Sequence, residues 1–210
     1  MTWFSKISSN LIRIPTNTID DIKEIANMAI DYIKKNKTDA EYIGIVKYDN
    51  PYTRKKDEIK IVIFPFDNNF RDAIAVYNTS RNTISLFAYH INTTDLPSLY
   101  NEFVEAITHE MTHAIDIKLK TNRNIVEDNY LDRDFEFDGI SAQITEHIKN
   151  NLNDTNLSDF RNWMRTLSDN VPIVILPFRD YINYWKTNKP NWFGKLIQRI
   201  YNEIFSDRET

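Results

Sequence analysis

Apolar positions along this chain repeat at two different periods, and the places where the period changes divide it into parts. Ile19, Ile22, Ile25, Ala26, Ala29, Ile30 and Ile33 recur at spacings of three and four. That spacing predicts a helix opening at Asn17-Thr18-Ile19-Asp20 and ending at Lys34-Lys35-Asn36. Basic residues in its last turn suit the negative end of the helix dipole. From 41 to 91 the period falls to two. Tyr42–Val46, Ile59–Phe64, Ala73–Tyr77 and Thr83–Tyr89 read as strands, and Asn78-Thr79-Ser80-Arg81-Asn82 has the composition of a hairpin loop. A small, mostly antiparallel sheet of three or four strands is expected.

Helical spacing then returns. Thr94-Asp95-Leu96-Pro97-Ser98 supplies cap-forming residues and a helix-start proline. Tyr100, Phe103, Val104, Ile107, Met111, Ala114 and Ile115 form the apolar stripe of a helix that runs to Lys118–Lys120. Phe137, Ile140, Ser141, Ile144 and Ile148 predict a second helix after a loop. Further helices are expected at 157–167, 178–185 and 192–205, punctuated by Pro172, Pro177 and Pro190. Trp3-Phe-Ser-Lys-Ile echoes Trp192-Phe-Gly-Lys-Leu, and core packing is the expectation for both. The fold class expected is α+β, one domain over 1–210: a lead-in and helix at 1–58, sheet and paired helices at 59–150, and a helical layer at 151–210.

Composition narrows the chemistry. A length of 210 residues with 41% apolar and 13% aromatic content is enough to bury a core. Three glycines leave no room for a phosphate-cradling loop, and a net charge of −4 argues against nucleic acid as the main partner. Cysteine is absent, so there is no thiolate nucleophile, and a metal would have to sit on His, Asp or Glu. No run approaches eighteen apolar residues, and the first ten residues lack the apolar core of a secretory signal. The expectation is a protein without a membrane span, made in the cytoplasm.

The concentrated chemistry lies in His109-Glu110-Met111-Thr112-His113. On a helix, residues 109 and 113 are one turn apart on one face, so both imidazoles can reach one metal ion. Glu110 stands beside that point, placed to hold a water. His109, His113 and Asp116 project opposite the apolar stripe, together with Glu102 and Glu105. Two histidines do not hold zinc firmly, and a third protein ligand is required. His90 stands at a strand-to-helix junction, where it reads equally as a surface residue. His147 lies eleven residues beyond Glu136, a rise of about 16 Å, so those two cannot share one ion. Asp116, Asp134, Glu136 and Asp138 are the acidic candidates. Three ligands on successive turns of one straight helix span too far, which leaves Asp116 to support a ligand rather than be one.

A helix bearing His-Glu-x-x-His, followed by a Glu near the start of a second helix, resembles the gluzincin zinc metallopeptidases. The second motif of that family often reads Glu-x-x-Ala; here it is Glu136-Phe137-Asp138-Gly139, with Gly in place of Ala. The resemblance covers about residues 59–150 and implies a zincin-like fold, with the sheet preceding the metal helix. It further implies Zn2+ held by His109, His113 and Glu136, with Glu110 as general base and a peptide or protein as substrate. The family's oxyanion donor would be sought among Tyr130, Arg133, His147, Tyr181 and Tyr184. Thr83–Tyr89, as an exposed edge strand, is expected to hold an extended peptide by strand addition. The rival expectation is a catalytically inactive or structural zincin-like protein acting as an interaction module, of a kind that a phage could encode.

Overall fold

The computed structural model describes residues 14–35, 37, 39–50, 55–64, 74–87, 96–117, 134–151 and 178–205. These form α1 (Thr16–Lys34), β1 (Glu41–Asp49), β2 (Lys56–Phe64), β3 (Ala75–Asn78) and β4 (Thr83–Phe87). They continue with α2 (Leu96–Ile117), α3 (Asp134–Asn151), α4 (Arg179–Asn188) and α5 (Pro190–Phe205). The class is mixed α and β, with a four-stranded sheet and five helices among the described residues. The lead-in Met1–Arg13, with Trp3, and the helix expected at 157–167 lie outside them.

The sheet order is β1-β2-β4-β3. β1 pairs with β2 and β3 with β4 antiparallel, while β2 and β4 run parallel with Ile61 opposite Ile84. After β2, the next described strand, β3, lies on the far side of β4, and the chain returns through residues 79–82 into the middle of the sheet. Thr83–Phe87 is therefore an interior strand, which corrects the expectation that this segment is the exposed edge. Both of its sides are occupied, and the edges are β1 and β3. Asn82 makes the return possible. It takes a left-handed φ of 49°, which Asn tolerates. Its amide donates to Glu58 O at 2.8 Å, and its Oδ1 accepts from the Tyr77 hydroxyl at 2.9 Å.

Alternation along the strands sends Val46, Tyr48, Ile59, Ile61, Ile63, Ile84 and Leu86 to one buried face. α1 and α2 cover that face with Ile22, Ile25, Ala26, Ala29, Phe103, Val104, Ile107 and Met111, making one core. The approach is close at Gly44, where a Cβ would lie 3.1 Å from Ile25 Cγ1. A second apolar cluster joins Phe137, Ile140, Ile144 and Ile148 of α3 to Ile182, Trp185, Leu196 and Ile200 of α4 and α5. The C-terminal helices thus pack chiefly on α3 rather than on the sheet. The two cores meet where α2 and α3 lie together, and that seam carries the chemistry.

Candidate metal centre

Within α2 the stripe Phe103, Val104, Ile107, Met111, Ala114 and Ile115 is turned to the sheet and buried. This fixes the rotation of the helix, so His109 and His113 must face away from the sheet, toward α3. α3 is oriented the same way by its own stripe, which buries Phe137, Ile140, Ile144 and Ile148 against the tail. Glu136 is then left facing α2. Its Oε2 lies 3.5 Å from His109 Nε2 and 3.6 Å from His113 Nε2. Both separations exceed a good hydrogen bond. Ligand atoms about 2.1 Å from a tetrahedral zinc stand about 3.4 Å from one another, close to the spacing found.

The two imidazoles meet edge to face, with centroids 4.6 Å apart and planes at 88°. Their exposed fractions are 12% and 13%, and that of Glu136 is 7%, so the donors are shielded but reachable. His109, Glu110 and His113 also place one ligand atom each within 4.8 Å of one another, a group that could hold a metal ion. Glu110 is engaged elsewhere: its Oε2 accepts the main-chain N–H of Tyr77 at 2.8 Å. Burial pushes the Glu110 carboxyl up to about 7; His109 and the Tyr77 N–H pull against this, and Glu136 adds to it.

Gly139 accounts for the departure from Glu-x-x-Ala. A Cβ there would stand 2.8 Å from His109 Cε1 and 3.0 Å from both ring nitrogens. The imidazole occupies the volume that an alanine methyl would need. His109 Nδ1 is itself buried and has no hydrogen-bond partner among the described residues.

The other candidates fare differently. Asp138 is about 200° around α3 from Glu136; its main-chain oxygen accepts from buried Arg199 at 3.4 Å, on the side of α5. Tyr130, Arg133, His90 and the side chains of Asp116 and Asp134 lie outside the described residues. His147 Nδ1–H donates to Glu105 Oε1 at 2.8 Å, and its ring packs edge-on to Phe178 at 5.2 Å. It joins α2 to α3, one turn of α2 ahead of His109. Glu105, expected on the polar face with the histidines, is buried in that pairing. Tyr181 is half-buried beside the site; burial raises its phenol, and the negative charge of Glu136 raises it further.

Sequence reasoning missed three contributors: the Tyr77 main chain, the Gly139 gap and the Glu105–His147 pair. The pair left a trace as two titratable residues on neighbouring helices and the gap as the Gly that stands in place of Ala, whereas the Tyr77 main chain left none. No protein-family model, no curated protein and no solved structure matches this chain. No helix of the described residues is long and apolar enough to cross a membrane.

Proposed function

We propose that this chain is a zinc-dependent metallopeptidase of gluzincin type, with a zincin-like fold, in which His109, His113 and Glu136 are the protein ligands. The reading rests on one observation: a single oxygen of Glu136 stands at 3.5 and 3.6 Å from the two Nε2 atoms. That spacing suits one ion between them, and two nitrogens with one carboxylate oxygen are a donor set that zinc accepts. Zinc held there supplies a positive charge that brings the pKa of a water toward 7 and polarises a carbonyl.

The remaining work falls to the chain. Glu110, with Oε2 engaged by Tyr77, takes a proton from the attacking water on its other oxygen and delivers it to the departing amine. Its raised pKa favours this exchange near neutral pH. Among the candidate oxyanion donors, Tyr181 is a described residue whose phenol feels the charge of Glu136, and the reading gives it that role. The substrate is a peptide or protein, and the adjacent sheet edge is β3 rather than Thr83–Phe87.

Elemental analysis of purified protein tests the ligand set. The wild type should carry about one zinc per chain, and His109→Ala and Glu136→Ala should lose it. A Glu136→Ala protein retaining full zinc moves the third ligand elsewhere. If the wild type binds zinc but cleaves nothing in a broad peptide library, the metal serves only to tie α2 to α3, and the structural reading replaces the enzyme.

A further inference from the structure

In an antiparallel pair, alternate residues exchange both hydrogen bonds with the partner strand, and the residues between them point their main-chain groups away. On β3 the register is fixed by Ala75 opposite Leu86 and Tyr77 opposite Ile84, and Phe87 N–H donates to Ile74 O at 2.9 Å. Residues 74, 76 and 78 therefore bond to β4, whereas Ala75 and Tyr77 turn their N–H and C=O groups to the outer side. Among the described residues no further strand lies beyond β3, and α2 packs against it. The outward N–H of Tyr77 meets Glu110 Oε2 at 2.8 Å.

We propose that the Tyr77 main-chain N–H is a positioning group for the general base, holding one oxygen of Glu110 on the edge of β3 so that the other is presented to the reacting proton. The inference rests on the reading of Glu110 as that base. A glutamate has three rotatable bonds, and a carboxylate left to turn freely would present its proton-accepting oxygen in many directions. A charge-assisted bond from a rigid strand removes that freedom. Rigidity is supplied at both ends. Asn82 ties the Tyr77 hydroxyl and Glu58 O together below the strand, and the buried stripe of α2 fixes the helix that carries Glu110. The same bond occupies a donor that an edge strand would otherwise offer to another chain.

Two measurements on the zinc-loaded full chain test the proposal. The first is residue-resolved amide hydrogen exchange, which needs no substrate. In Glu110→Ala the Tyr77 amide should exchange at least about tenfold faster, with the equally outward Ala75 amide unchanged. An unchanged Tyr77 rate overturns the proposal. The second compares Tyr77→Pro with Tyr77→Ala, using a quenched-fluorescent mixed-sequence peptide library to find a cleaved peptide. Proline at this outward position removes the N–H without taking a bond from the β4 ladder, whereas alanine keeps the N–H and loses the ring. The proline variant should lose about tenfold or more in kcat with KM within about twofold, and the alanine variant, which keeps the N–H but gives up the hydroxyl bond to Asn82, should lose several-fold less than the proline variant. Equal kcat in the two variants overturns the proposal. Should the proline variant fail to retain zinc, the exchange rates in Glu110→Ala decide alone. A wild type that cleaves nothing fails the peptidase reading instead, and the exchange rates still show whether the Tyr77 N–H holds Glu110.

Discussion

Glycine at two helical positions of this chain answers opposite demands. Gly194, in α5, is exposed and has nothing within 4 Å of a built Cβ. Gly194→Ala should stabilise the protein by about 0.5–1 kcal/mol, the usual gain in helix propensity, readable as a raised denaturation midpoint. Gly139 sits against the His109 ring, where a Cβ would lie at 2.8 Å. Gly139→Ala should push that ring aside and weaken zinc binding about tenfold in a competitive titration, because ligand orientation is set by what packs against it. Unchanged affinity in Gly139→Ala would show that the ring has room to move. Glu110→Gln belongs to the same scale. The amide keeps the shape of the side chain, so zinc content should be unchanged while hydrolysis falls about 10² to 10⁴-fold. The pentapeptide was legible because helical spacing alone brings residues 109 and 113 onto one face. Gly139 was legible only as a departure from Glu-x-x-Ala, since its cause is a distance between two helices that no local pattern contains.

At the scale of elements, every described helix and strand falls where the periodicity puts it, within a few residues at each end. Strand order was not available in the same way. Alternation in Thr83–Phe87 reports which face is buried, and it is silent on whether both sides of the strand carry partners. The place of β3 at the edge is set by which strands pair across the sheet, and alternation within a strand does not encode that. Contacts between helices were equally hidden. Lys149 of α3 bridges Glu146 at 2.8 Å and Glu203 of α5 at 3.0 Å, and Arg199 reaches Glu203 at 3.1 Å. Burial alone would raise the Glu203 carboxyl; Arg199 and Lys149 outweigh it and hold the group below its ordinary value. A carboxyl lowered in the folded state binds fewer protons than in the unfolded chain. Its contribution is therefore full above the unfolded value, near about pH 4.3, and is lost as pH falls through the folded one. Glu203→Gln should cost about 2 kcal/mol at neutral pH and flatten the acid limb of the stability curve, as urea titrations across the acid range would show. A variant with the wild-type acid slope would place that pH dependence in other groups.

Across the whole molecule, the ligands come from helices belonging to different cores. His109 and His113 are fixed by the core of sheet, α1 and α2, whereas Glu136 is fixed by α3 against α4 and α5. Large apolar side chains across 157–205 are too many for a free tail and suggest packing on the sheet and the metal helix; the described part, 178–205, pairs chiefly with α3 instead. Phe137 meets Trp185 edge-on at 4.8 Å and Trp192 at a tilt at 4.9 Å, one residue along from Glu136. Arg199 adds a hydrogen bond to the main chain of Asp138, in the same turn. Removing residues 157–210 would therefore expose Phe137, Ile140, Ile144 and Ile148 together. At about 25 cal/mol per Å² of apolar surface, a few hundred Å² is comparable with the whole stability of a domain. The fragment 1–156 should be insoluble, or should lack a cooperative thermal transition, and it should bind no zinc because the turn carrying Glu136 has lost its support. Chelation of zinc from the full chain makes the complementary case: both cores keep their apolar contacts, so the protein should stay folded with a lowered midpoint, by the linkage between ligand binding and stability. A soluble 1–156 fragment that melts cooperatively with its zinc in place would instead make the tail a separate module, and Glu136 would then owe its position to α2 alone.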